Sequence, residues 1–176
     1  MRALVVFESM FGNTQTIAEA IADGLSASVD VEVVEVGHAP TTIDDGVALL
    51  VIGGPTHAFG MSRPGTRRSA AEQAQRDLVS TGIGLREWLA GIEGGSSAVA
   101  AAAFETRADK PRLPGSAARA AGKRLRRLGF ATAAHAESFY VGGVDGPLIE
   151  GEIERARRWG ARLGSETAAS MGSSVQ

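Results

Sequence analysis

Six consecutive residues, Val47-Ala48-Leu49-Leu50-Val51-Ile52, carry no polar side chain. A run this short and this rich in branched aliphatics reads as a strand, and a strand apolar at every position is covered on both faces. That places it at the centre of a sheet with helices on either side, which makes α/β the class to test. It ends in Gly53-Gly54-Pro55-Thr56, a break that opens the longest irregular stretch of the chain.

The segments around it alternate in the same sense. Ala3 to Phe7 is a second apolar strand, followed by a helical pattern from about Thr14 with Ile17, Ile21 and Leu25 on one face. Val31 to Val36 is β-branched but carries two glutamates, which predicts an edge strand, and Thr42 to Asp45 has room for one turn of helix. Further on, Thr66 to Asp77 reads as a short exposed helix and Leu85 to Ala90 as another. Ala98 to Phe104 is taken as a small-residue strand, because Gly94-Gly95 precedes it and the chain alternates throughout. Ser116 to Leu128 is a helix with Ala118, Ala121, Leu125 and Leu128 inward and Arg119, Lys123, Arg124, Arg126 and Arg127 outward, a basic face read as solvated. Ala131 to Val141 supplies the last strand. A final helix from about Pro147 to Leu163 turns Ile149, Ile153, Ala156 and Leu163 inward, with Trp159 at its margin.

Five strands interleaved with helices predict a doubly wound five-stranded parallel sheet with helices on both faces, and right-handed crossovers leave few topologies. In the order 2-1-3-4-5 the loops after strands one, three and four meet at the topological switch point, where ligands bind. The domain spans residues 1–163. Residues 164–176, rich in Gly, Ser and Ala, are expected to be disordered.

The first of those loops, Ser9-Met10-Phe11-Gly12-Asn13-Thr14, joins a strand to a helix. Backbone N–H groups at such a junction, with the helix dipole behind them, make an anion-binding nest. Ser9 and Thr14 add hydroxyls, and Gly12 permits close approach. The same residues also suit an ordinary capped turn, so the neighbouring loops decide between the two readings.

Composition narrows the chemistry. Cysteine is absent, so disulfides, thiolate catalysis and cysteine-held clusters are excluded, and any redox chemistry needs a bound cofactor. The net charge of -2 gives no nucleic-acid signature. With no apolar stretch of spanning length and no leader pattern, the reading is a cytoplasmic protein without membrane insertion. There is no Gly-x-Ser-x-Gly elbow for a serine hydrolase.

Ser9-x-x-Gly12-Asn13-Thr14 after the first strand, together with Gly53-Gly54-Pro55-Thr56 after the third, resembles the flavodoxin family over about residues 1–163. The resemblance implies FMN as cofactor. Ser9, Met10, Phe11, Gly12, Asn13 and Thr14 would hold its phosphate. Pro55, Thr56, His57, Phe59 and Gly60 would border one side of the flavin, and Phe104, Glu105, Thr106 and Arg107 the other. Two features depart from the pattern: Phe11 stands where flavodoxins carry threonine, and Glu105 to Gly115 holds no aromatic residue to stack on the ring. Ser9 to Gly12 and Pro55-Thr56-x-x-Phe59-Gly60 are also similar to flavin-dependent quinone reductases of the same superfamily.

The leading expectation is an electron carrier serving a redox partner protein. The alternatives are an enzyme passing electrons from a nicotinamide nucleotide to a quinone, with Arg63, Arg67 and Arg68 as phosphate clamps, and the same fold without cofactor as a binding or regulatory domain. His57 is either a proton donor beside the flavin or an ordinary loop histidine.

Overall fold

The computed structural model describes residues 2–57, 59–74, 77–111 and 113–173. Its elements in order are β1 (Arg2–Phe7), α1 (Asn13–Leu25), β2 (Asp30–Glu35), β3 (Val47–His57), β4 (Gly60–Met61), α2 (Pro64–Gln73), α3 (Leu85–Gly91), β5 (Ala100–Ala108), α4 (Ala117–Leu128), β6 (Ala131–Thr132), β7 (Glu137–Val141) and α5 (Glu152–Ser173).

The main sheet runs β2-β1-β3-β5, with β6 and then β7 end to end along the outer edge of β5, and every pairing in it is parallel. The last expected strand is thus two short pieces, and the order 2-1-3-4-5 holds. The short β4 pairs antiparallel with the end of β3. The β2 strand, with its glutamates, lies at the edge.

Alternation along the strands feeds two cores. Leu4, Val6, Leu50, Ile52, Ala101 and Ala103 face α3 and α4, where Trp88, Leu89 and Leu125 cover them. Ala3, Val5, Leu49, Val51, Ala102 and Phe104 face α1 and α5, under Ile17, Ile21, Trp159 and Leu163. This is why Val47 to Ile52 has no polar position: both faces are dry. The alanines of β5 let helices pack closely on each side.

Three local expectations are corrected. The helical turn between β2 and β3 lies at Val36–His38, where the Glu35 carboxylate accepts the Gly37 N–H, and not at Thr42 to Asp45. The last helix starts at Glu152, because residues 142–149 form a turn closed by Gly142 N–H to Pro147 O (2.8 Å) and Ile149 N–H to Tyr140 O (2.9 Å). Ile149 and Ile153 are therefore exposed, and Trp159 is buried. Third, α5 runs on to Ser173 where a disordered tail is expected from Gly164. Leu163 and Thr167 are buried one turn apart, so packing carries the helix past a composition that does not favour it. Residues 174–176 of that tail, and residues 75 and 76 of the expected exposed helix, lie outside the described residues.

Candidate functional site

At the carboxyl ends of β1, β3 and β5 the structure opens a cleft of about 380 Å³, a size that suits a small cofactor. Its walls come from the first loop (Ser9, Met10, Phe11, Asn13, Thr14), the end of β3 (Pro55, Thr56, His57) and the end of β5 with its loop (Thr106, Arg107, Ala108, Leu113).

The first loop is held from behind. Ser9 N–H donates to Ser80 Oγ at 3.0 Å, and the Ser80 and Val79 amides donate back to the Ser9 and Met10 carbonyls at 2.8 and 3.0 Å. Ser9 Oγ accepts the Gly12 N–H at 3.1 Å, which closes the turn. Gly12 is the N-cap of α1 with φ of 92°, and no side chain caps the helix there. The first intrahelical bond is Thr16 N–H to Gly12 O, so the Asn13, Thr14 and Gln15 N–H groups lie ahead of it. A Cβ built on Gly12 would meet no heavy atom within 4 Å. An uncapped, open, glycine-led helix start fits a phosphate dianion.

Around it, Thr14 and Thr106 share a buried hydroxyl contact of 2.7 Å, which ties the first loop to β5. Asn13 Nδ2 donates to Asp145 O at 3.0 Å. That bond joins the first loop to the loop after β7, whose Gly143 and Val144, with Val141, form a fourth wall.

Phe104 and Glu105 do not line the cleft. Phe104 is a core residue with edge-on contacts to Phe139 and Trp159 at 6.2 and 6.4 Å between centroids. Glu105 is fully buried and accepts from Thr56 Oγ1 (2.6 Å), Ser116 Oγ (2.8 Å), Ala118 N–H (3.0 Å), Ser138 Oγ (2.8 Å) and Arg107 (3.3 Å). Burial pushes its carboxyl up, but the bonds from Thr56, Ala118, Ser138 and Ser116 together outweigh it and hold the group below the usual carboxylate range. Glu105 thereby fixes two residues that do line the cleft, Thr56 and Arg107. Arg107 in turn donates to Leu113 O and to Gly115 O (2.9 Å), clamping the third loop in place. Phe59, in the left-handed region at φ of 77°, stands 58% exposed beside β4, and neither it nor Gly60 is part of the cleft wall.

His57 lines the cleft, and burial first, then the nearby Arg67 charge, push its pKa down. It therefore presents a neutral ring. Arg67 is committed elsewhere: it donates to Ser62 Oγ at 2.8 Å and pairs with Glu87 at 3.2 Å. Ser62 in turn donates to the buried Glu8, whose second oxygen accepts Leu85 N–H at 2.8 Å. This network pins α2 to α3 and holds it over the cleft. Thr66, Ser69, Ala70 and Gln73 of α2 line that cleft, and sequence reasoning missed them. Their spacing of one helical face was the available signal. The buttress from Val79 and Ser80 left no such trace.

A cleft at the switch point of a doubly wound sheet, with the uncapped start of a helix in its wall, is where open α/β folds of this class bind their ligands. The sequence profile of the family described as Flavodoxin matches residues 5–160. The chain belongs to the flavodoxin family, a family of flavin-binding electron-transfer proteins. Solved structures agree on the fold. Oxidised Flavodoxin 1 from Bacillus cereus is 18% identical, with TM-score 0.69 over 94% of this chain and 98% of that one. A flavodoxin from the domain Archaea is 19% identical, with TM-score 0.63 over 95% and 99%. A flavodoxin, WrbA-like protein from Agrobacterium tumefaciens is 17% identical, with TM-score 0.58 over 96% and 98%. No curated protein sequence matches this chain significantly. Among the described residues no helix is long and apolar enough to cross a membrane.

Proposed function

We propose that this chain binds FMN non-covalently and carries electrons to a redox partner. The observation that carries the reading is the uncapped start of α1, whose Asn13 and Thr14 line the cleft where the loops after β1, β3 and β5 converge, with Gly12 itself in the adjoining recess. FMN, when bound there, supplies reversible uptake of electrons and protons. The chain's own residues do the rest. The first-turn amides of α1 hold the phosphate dianion, with bonds of about 1.5–3 kcal/mol each. Met10, Pro55 and Leu113 exclude water from the apolar part of the ligand. Thr106 and Thr14 offer hydroxyls, and His57 offers a neutral ring nitrogen. Arg107, 14% exposed and paired with Glu105, holds the third loop in the wall.

The quinone-reductase alternative needs arginines free to clamp a nucleotide phosphate. None of the three lines the cleft, and Arg67 is consumed by Ser62 and Glu87, which favours the carrier. Steady-state turnover separates them. With NADPH and a soluble quinone, the FMN-loaded protein should be no faster than the same concentration of free FMN. A rate at least tenfold above free FMN would replace the carrier with the enzyme.

A further inference from the structure

Between Thr106 and Ala136 lie eight of the chain's 18 Lys and Arg residues and only one of its 20 Asp and Glu residues. The rest of the chain is strongly acidic. The positive segment contains the third cleft loop and all of α4, so the charge is gathered on one side of the molecule, beginning at the cleft.

On α4, Arg119, Lys123 and Arg126 recur at one-face spacing and are exposed. Arg2, Arg67, Arg107, Arg155 and Arg157 are all ion-paired, whereas none of these three is, among the described residues. Helix stability does not account for them. Like charges one turn apart repel, Arg119 sits in the first turn at the positive end of the dipole, and that turn holds no acidic residue. The basic face borders a groove of about 360 Å³, opened where β6 and β7 part and lined also by Ala103, Phe130 and His135.

This face is joined to the cleft. Ala117 N–H donates to the cleft residue Thr56 at 3.1 Å, and Ser116, the N-cap of α4, donates to Glu105. Just ahead of it two large apolar side chains stand exposed, Leu113 at 55% and Phe59 at 58%. Phe59 O lies 2.0 Å from where a Cβ on Gly115 would stand, so the two loops touch. An exposed apolar pair, Leu113 in the cleft wall and Phe59 against the same loop, flanked by unpaired cations, matches the centre and rim of a transient protein interface.

We propose that the third cleft loop and the Arg119–Lys123–Arg126 face of α4 form the docking surface for an acidic redox protein, seated against Phe59 and Leu113. The inference rests on the carrier reading and names the charge of its partner. Long-range attraction steers such a partner in, and the apolar pair sets its final position next to the cleft.

Calorimetric titration tests it with two redox proteins of opposite charge as probes, an acidic plant-type ferredoxin and a basic cytochrome c, each with apoprotein and with FMN-saturated protein. At low salt the ferredoxin should bind at least tenfold more tightly than the cytochrome, and about 0.5 M salt should remove that preference. The triple variant Arg119→Glu, Lys123→Glu, Arg126→Glu should lose at least tenfold in ferredoxin affinity with FMN affinity unchanged, and the corresponding triple glutamine variant should fall between. Equal binding of both probes, or ferredoxin binding indifferent to either variant, overturns the proposal. So does tighter, variant-sensitive binding of single-stranded DNA or of phosphatidylserine vesicles in place of the ferredoxin. Ferredoxin binding without any FMN binding would overturn the carrier reading and leave the docking surface standing.

Discussion

Gly12 shows how one residue shapes both the fold and the site. Its φ of 92° lies where a side chain is strained, yet a Cβ there would touch nothing. Gly12→Val should therefore cost about 1–2 kcal/mol in stability, from backbone strain alone, and leave the chain folded. The added methyls would occupy the space an approaching phosphate needs, so FMN affinity should drop at least tenfold by fluorescence titration. Unchanged affinity would remove the phosphate from this loop. Glu105 acts through others. Its native pKa lies below the ordinary value of 4.5, so between the two the native state binds fewer protons. The stability it contributes is complete above about pH 4.5 and is lost as pH falls through the native value. Glu105→Gln should flatten that acid slope in melting temperature and lower neutral-pH stability by about 2 kcal/mol. An unchanged acid slope would contradict its ionised, hydrogen-bonded state. The family resemblance placed Phe104 and Glu105 beside the flavin together with Thr106 and Arg107. Strand alternation sends Phe104 into the α1–α5 core and Glu105 toward the start of α4, and only the last two residues of the four reach the cleft.

Among the elements, the crossing of α1 and α5 is the tightest. A Cβ on Gly160 would stand 2.1 Å from Ile21 O, and one on Gly24 would stand 2.0 Å from Arg157 O. Two backbones in contact have no side chain to move aside. Gly160→Ala should thus cost at least about 3 kcal/mol by chemical denaturation, more than overpacking against side chains costs. A loss under 1 kcal/mol would mean the helices do not approach so closely. The same crossing explains the length of α5. Composition marks Gly164 onward as tail-like, but the helix already lies against α1, so the next turn extends at little cost and buries Thr167. The short α2 presents the reverse case. Its polar composition was legible as an exposed helix, and it buries no residue. What holds it over the cleft is the Arg67–Ser62–Glu8 network with Glu87, assembled from distant positions that no local pattern connects.

For the whole molecule, the doubly wound order was legible because the strongest signals are long-range in consequence. Fully apolar strands are central, a strand with glutamates is at the edge, and right-handed crossovers leave few orders, 2-1-3-4-5 among them. Convergence of three loops at the switch point followed from that order. The fourth wall from Gly143 and Val144 did not, since it depends on the turn that delays α5. The central claim is that this converged cleft holds FMN by its phosphate. Titration of the purified chain with FMN and with riboflavin, followed by flavin fluorescence and absorbance, tests it most directly. The account predicts one FMN bound per chain with a dissociation constant of about 1 µM or below, and riboflavin weaker by at least roughly tenfold, the loss of one charge-assisted bond or more. Equal affinity for the two flavins, or no binding of either, would contradict it.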